Sequence, residues 1–230
     1  MNQKELEIYI HIPFCVKKCS YCDFLSAPAT EQTREAYMAA LFAEIRGNAE
    51  KYRERIVTTI FIGGGTPSLL SGKTVIQLMA ELQKNFCVAE NAEITMEVNP
   101  GTATLEKLQA FRKAGINRIS IGMQSAQEPE LKMLGRIHDF DCFCRVYWEA
   151  VEAGFENINV DVMSGLPGQT METYRDTLEK VLHLSPVPQH ISAYSLIVEE
   201  GTPFATMKEK GELPLPGEDT ERAMYEETIE

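Results

Sequence analysis

The sequence predicts an α/β fold, a partial (β/α)6 TIM-like barrel with parallel strands. Six short apolar runs alternate with longer amphipathic segments across 230 residues. Strands joined through helices by short connections call for parallel pairing with right-handed crossovers. An eight-fold barrel typically takes about 250 residues, so six repeats in this length leave the barrel open. A third observation concerns position. Each unusual polar or glycine cluster stands at, or just past, the end of an apolar run. In a β/α barrel those strand ends share one rim, where ligands bind.

The first strand, Glu7–Ile12, leads into Cys15-Val16-Lys17-Lys18-Cys19-Ser20-Tyr21-Cys22. Cysteines with gaps of three and two residues can close around one iron–sulfur cubane, which normally takes four cysteine ligands. With no fourth cysteine beside Cys15, Cys19 and Cys22, one iron would stay open, as a catalytic metal site requires. The intervening lysines favour thiolate over thiol. Zinc is the rival, although a structural zinc also wants four ligands. Three buried small hydrophobes is the bland reading.

Thr30–Glu54 reads as a helix with Ala36, Ala40, Leu41, Phe42, Ala43 and Ile45 as its apolar stripe. The strand Val57–Ile62 ends in Gly63-Gly64-Gly65-Thr66-Pro67. Glycines there let the backbone approach a ligand closely and leave N–H and C=O groups to pair with it. A simple tight turn would use the same residues. Ser71–Phe86 follows as a helix with a serine cap.

The strand Ile94–Val98 places Glu97 between apolar Met96 and Val98, and Asn99-Pro100-Gly101 ends it. The helix Thr104–Lys113 stops near Gly115, and the strand Arg118–Met123 delivers Ser120, Gly122 and Gln124. Pro129–Ala153 reads as helical with a break near Gly135. In the strand Ile158–Met163, Asp161 sits in an otherwise apolar run. A bare carboxylate there is costly unless a ligand or an arginine pairs with it, which makes Asp161 a functional candidate.

Met171–His183 is a helix ending before Pro186, Ile191–Leu196 is the sixth strand, and the chain is helical again from Glu218. Residues 1–210 are expected to form the barrel. Residues 211–230, with the Pro/Gly-rich stretch Gly211–Gly217, are expected to be a linker and the start of a truncated C-terminal region. The expectation is a piece of a longer protein.

Acidic residues outnumber basic ones by 34 to 22, a net charge of −12, which argues against a nucleic-acid backbone as main partner. No apolar run reaches membrane-spanning length and the start lacks a signal-peptide form. A cytoplasmic protein is expected, with Cys87, Cys142 and Cys144 as structural thiols. His11 and His138 could reach the site, but packed or hydrogen-bonded histidines are the default at such positions. His183 and His190 read as structural.

These motifs resemble the radical S-adenosylmethionine (SAM) superfamily along essentially the whole chain. The resemblance is strongest to the coproporphyrinogen III dehydrogenase-like branch, which holds HemN-type enzymes and HemW-type heme chaperones. It rests on Tyr9–Cys15, the cysteine spacing, Gly63–Pro67, Glu97–Pro100, Ile121–Ser125 and Asp161–Pro167. It implies that Cys15, Cys19 and Cys22 hold a [4Fe–4S] cluster whose open iron chelates SAM. One electron from the cluster then cleaves the sulfonium to a 5′-deoxyadenosyl radical. It further implies that Tyr9, Gly64, Gly65, Thr66, Glu97, Gln124, Arg136, Asp161 and Ser195 build the SAM pocket. The chemistry agrees, since the two carboxylates can accept from SAM's donors and Arg136 can pair with its carboxylate.

Within this branch two functions compete. One is oxygen-independent decarboxylation of coproporphyrinogen III, which turns propionates into vinyl groups. The other is a heme chaperone that binds heme and passes it to an acceptor protein. The enzymes carry a further cysteine two residues past the triad and a long N-terminal arm. Here Phe24 occupies that place and fourteen residues precede Cys15, so the chaperone is favoured. The heme motif expected of such chaperones would lie beyond Glu230. The implied partners are heme or a porphyrin(ogen), an electron donor and a heme-accepting protein. Radical SAM modification of tRNA is the weakest reading, because the acidic composition lacks a basic RNA surface.

Overall fold

A computed structural model of the chain describes residues 4–229. The barrel strands are β1 (Lys4–Ile12), β2 (Arg55–Gly64), β3 (Cys87–Val98), β4 (Arg118–Gln124), β5 (Asn157–Ser164) and β6 (His190–Ser195). They form one sheet in sequential order, every neighbouring pair parallel. Helices α1 (Glu31–Tyr52), α2 (Gly72–Asn85), α3 (Leu105–Lys113), α4 (Glu128–Leu134), α5 (Phe140–Glu152) and α6 (Met171–Leu182) supply the crossovers, and α7 (Pro203–Glu209) and α8 (Glu218–Ile229) follow. The result is the expected half-barrel.

Alternation along each strand decides which side chains pack and which face the concave side. Ile10, Ile12, Ile60, Ile62, Met96, Val98, Ile119, Ile121, Val160 and Val162 are buried against the helix layer. The opposite parity carries Phe61, Glu97, Ser120 and Asp161. Polar groups on that side can meet a ligand without entering the apolar core.

Six helices begin at a capping side chain. Thr30, Ser71, Thr104, Asp139, Thr170 and Thr202 each accept from a backbone N–H in the first turn. Such caps are worth about 1 kcal/mol each. They also fix where the βα loops after β1, β2, β3, β5 and β6 end, and so where those rim residues stand; α4, after β4, starts without a side-chain cap.

Several elements depart from the sequence expectation. Helix α1 buries Met38, Phe42 and Ile45, while Ala36, Ala40 and Ala43 face outward. Bulk, not apolarity alone, selected the packed face. Strand β3 begins at Cys87, earlier than expected, because polar residues such as Glu90 and Asn91 can occupy an exposed strand end; Cys87 itself is exposed. The break expected near Gly135 is there: the stretch Pro129–Ala153 is two helices, split after Leu134 by Gly135 at φ 74°.

Helix α7 was not expected. Its Phe204 is fully buried with Leu134, Met163 and Leu166 in a small second core. The stretch Gly211–Gly217 stays against the barrel, where Pro214 O accepts from Gly168 N at 2.8 Å. Helix α8 packs on α6 through Tyr174–Thr228 (2.6 Å) and Arg175–Glu227 (2.6 Å). Glu230, the last residue of the expected tail helix, and Met1–Gln3, at the expected barrel start, lie outside the described residues. Among the described residues no helix is long and apolar enough to cross a membrane.

Candidate functional site

The loop after β1 carries the three cysteines, and backbone bonds to three other places in the chain, with one inside the loop, hold it. Cys15 N donates to Ala27 O (3.1 Å), Ser20 N to Leu134 O (2.9 Å) and Phe204 N to Ser20 O (3.1 Å), while Cys22 N turns back onto Cys19 O (3.3 Å). The second core around Phe204 therefore sits directly beneath the cysteine loop.

All three cysteines border one cavity of about 210 Å³ at the C-terminal ends of the strands. Gly64, Gly65, Thr66, Glu97, Gln124, Arg136 and Asp161 also line it. Tyr9 and Ser195 do not. Tyr9 stands on the open edge strand, stacked on Phe61 and bonded to His11 Nδ1 at 3.0 Å. Ser195 pairs with Ser164 at 3.1 Å. A larger groove of about 700 Å³ between α1 and α2 contains none of these residues.

The glycine run is a steric requirement. A Cβ on Gly64, which has φ +114°, would lie 2.7 Å from the His11 ring, and one on Gly65 would lie 2.7 Å from Phe14 O and 3.0 Å from Cys15 Sγ. The backbone N–H groups expected to await a ligand are already used. Gly64 N donates to Glu97 Oε2 at 3.0 Å and Gly65 N to Ile12 O at 2.8 Å. What the turn can offer is acceptor oxygen, which suits an ammonium.

Two polar groups back the cysteines. Thr66 Oγ1 donates to Cys15 Sγ at 3.5 Å and Arg136 Nη1 to Cys19 Sγ at 3.8 Å. The expected help from the lysines is weaker than burial. Desolvation pushes the Cys22 thiol up, and Lys18 opposes it with a smaller effect. Among the described residues no three Cys, His, Asp or Glu side chains converge on a single ion.

Burial is the main cause that raises Glu97 to about 7, and Asp161 adds to the rise while Gly64 N–H opposes it. Burial also raises Asp161, against hydrogen bonds from Ser120, Asn159 and Ser192 and the charge of Arg136. Ser120 Oγ lies 3.1 Å from both Asp161 oxygens, and Asn159 Nδ2 lies 2.7 Å from Oδ1. The cost foreseen for a strand carboxylate is thus offset by a hydroxyl and an amide, with Arg136 acting at longer range. Arg136 Nη2 donates to Gly122 O at 2.7 Å, and its buried Nε has no partner.

The histidines stay out of the cavity lining. His11 has both ring nitrogens engaged, by Tyr9 and by Leu25 O at 2.9 Å. His138 is buried with Nε2 3.3 Å from Met123 O, and burial pushes it down to about 4, so it is neutral. His190 accepts from Arg118 at 3.0 Å, and His183 bonds Glu179 O at 2.6 Å.

Two aromatic residues of the cavity carry no sequence motif. Tyr21 lies between Cys19 and Cys22, and Tyr194 reaches in from β6 to donate to Gln124 Oε1 at 3.0 Å. Gln124 has a positive φ of 70°. It follows a register shift between Gly122 and Gln124 in the β4–β5 pairing. Bulges of this kind re-aim side chains beside functional sites.

Residues 9–181 match the Radical SAM superfamily. The chain belongs to that superfamily. It is 39% identical over 227 residues to the heme chaperone HemW of Haemophilus influenzae, covering 96% of this chain and 58% of that relative. It is 43% identical over 202 residues to the Escherichia coli heme chaperone HemW, covering 87% and 53%. Its fold is similar to that of Escherichia coli coproporphyrinogen III oxidase (HemN), a radical SAM enzyme. There the TM-score is 0.87 at 30% identity, over 99% of this chain and 52% of the other. The chain spans just over half the length of these relatives.

Radical SAM proteins take a [4Fe–4S] cluster and SAM, and the residues present fit both. Three thiols in one loop, two of them backed by polar groups, leave one corner of a cubane open. The cavity beside them offers two carboxylates, a guanidinium and a carboxamide, a set complementary to an ammonium, a carboxylate and ribose hydroxyls.

Proposed function

We propose that this chain is the cluster- and SAM-binding core of a heme chaperone, which binds heme and delivers it to an acceptor protein. Cys15, Cys19 and Cys22 would ligate the cluster. The cluster, when bound, supplies the electron for cleavage of the SAM sulfonium, and an external donor protein would replace it. Glu97 and the acceptor oxygens of the Gly64–Thr66 turn would receive the SAM ammonium. Arg136 would hold the SAM carboxylate. Asp161 and Gln124 would bind the nucleoside, and Tyr9 and Ser195 would close on it from the two edges of the sheet. Heme is the proposed ligand of the whole protein, and the cytoplasm its compartment.

The observation that carries the chaperone reading is the side chain two residues past the triad. Phe24 lines the mouth of the cavity and is 67% exposed, where the decarboxylating enzymes carry a further cysteine. Relatives named heme chaperones, matched along nearly the whole chain, support the same reading. The fold similarity to HemN favours the second reading, coproporphyrinogen III decarboxylation.

One experiment separates the two. The protein is reconstituted anaerobically with iron and sulfide, then given SAM, a reductant and coproporphyrinogen III. The chaperone reading expects no vinyl product by mass spectrometry and, in a parallel titration of the whole protein, stoichiometric heme binding. Vinyl product with 5′-deoxyadenosine would establish the decarboxylase instead.

A further inference from the structure

Gln124 is held in a conformation that a non-glycine residue adopts only when its surroundings fix it, with φ at 70° next to the β4 bulge. Its carboxamide has one end that accepts and one that donates. Which end faces the cavity depends on the partner of the other. That partner is Tyr194, whose hydroxyl donates to Oε1 at 3.0 Å.

The bond leaves Nε2 pointing the other way. It lies 2.9 Å from where a Cβ on Gly122 would stand, and Arg136 Nη2 lies 3.2 Å from the same point. Gly122, Gln124 and Arg136 all line the cavity, so the amide N–H2 and the guanidinium sit over one patch of its wall. Without the tyrosine hydroxyl the carboxamide loses what distinguishes its two orientations. In the flipped orientation, oxygen would face the cavity where a donor now stands.

Tyr194 suits this task. Burial, with Tyr21 and Asp161 nearby, pushes its phenol well above the ordinary value of 10.0, so the hydroxyl keeps its proton at every working pH. It comes from β6, an edge strand of the sheet, while Gln124 comes from β4, so the bond also spans β5.

We propose that Tyr194 is a positioning residue whose hydroxyl fixes the Gln124 carboxamide with its N–H2 toward the cavity, where it donates to an acceptor atom of SAM. This rests on the reading of the cavity as the SAM site. Tyr194 acts through Gln124 and makes no bond to SAM.

The test is a SAM titration by calorimetry on the anaerobically reconstituted protein, with iron content and melting temperature measured on each variant. Tyr194→Phe keeps the ring and removes only the hydroxyl. It should weaken SAM binding about three- to tenfold, the range expected for one hydrogen bond, with iron content unchanged. Gln124→Ala should weaken binding at least as much, and Tyr194→Phe should then add nothing in the Gln124→Ala background.

Unchanged affinity in Tyr194→Phe would overturn the proposal. A further loss in the double variant would also overturn it, since Tyr194 would then act on SAM directly. So would a fall in iron content in Tyr194→Phe, which would mark a role in holding the cysteine loop. Failure of the parent protein to bind SAM would overturn both this proposal and the reading of the cavity beneath it.

Discussion

Glu97 is the residue whose protonation most directly couples stability to ligand binding. Its folded-state value is raised to about 7 from an ordinary 4.5, so between those values the folded protein holds a proton that the unfolded chain releases. Stability must therefore fall as pH rises through that window and level off above it. Asp161, also raised by burial, contributes in the same direction. SAM binding should run the opposite way, because an ammonium favours the ionised carboxylate. Affinity should climb from pH 5 to about 7 and then flatten. Glu97→Gln should remove most of both slopes. Melting curves and SAM titrations across this range check the expectation, and a Glu97→Gln protein that kept the full parental slopes would contradict it.

At this scale the legible residues were those whose chemistry clashes with their setting. Cysteines packed into one loop, an acid inside an apolar strand and three successive glycines each need a reason, and the cysteines, the acid and two of the glycines, Gly64 and Gly65, line the cavity. Tyr194 and Tyr21 gave no such signal, because a tyrosine in or beside a strand is ordinary. Only their placement beside Gln124 and the cysteines shows a role.

Among the elements, the rim loops are braced in pairs by two charged side chains outside the cavity lining, the half-buried Lys107 and the buried Glu130. Lys107, in the first turn of α3, donates to Ser68 O and to Thr102 O (2.9 Å), joining the turns after β2 and β3. Ser68 Oγ meanwhile accepts from Asn99 N at 2.9 Å. Glu130 of α4 does the same for the loops after β4 and β5. It accepts from Ser125 (2.6 Å), Gln169 (3.1 Å) and Thr173 (2.7 Å) at 5% exposure. Glu130→Ala would leave buried donors unpaired and should cost on the order of 3 kcal/mol. Urea unfolding measures this, and a loss below about 1 kcal/mol would show that the loops do not depend on the brace. Sequence periodicity located the six strands and most helices. It missed α7, a seven-residue helix whose significance lies in one buried side chain, Phe204, under the cysteine loop. A helix that short carries too little periodicity to register.

For the molecule as a whole, the polarity of the parallel sheet explains why the site was foreseeable. Once six strands run the same way, six loops meet at one rim, and residues as distant in sequence as Cys15 and Asp161 line one cavity. Sequential strand order also leaves β1 and β6 as sheet edges, which is where Tyr9 and Ser195 stand apart from the cavity. The most direct test of the account is the electron paramagnetic resonance spectrum of the anaerobically reconstituted, reduced protein, recorded with and without SAM. If three cysteines leave one iron open beside this cavity, SAM will change the spectrum of the [4Fe–4S] cluster. A fully loaded, reducible cluster whose spectrum is indifferent to saturating SAM would contradict the assignment of the site.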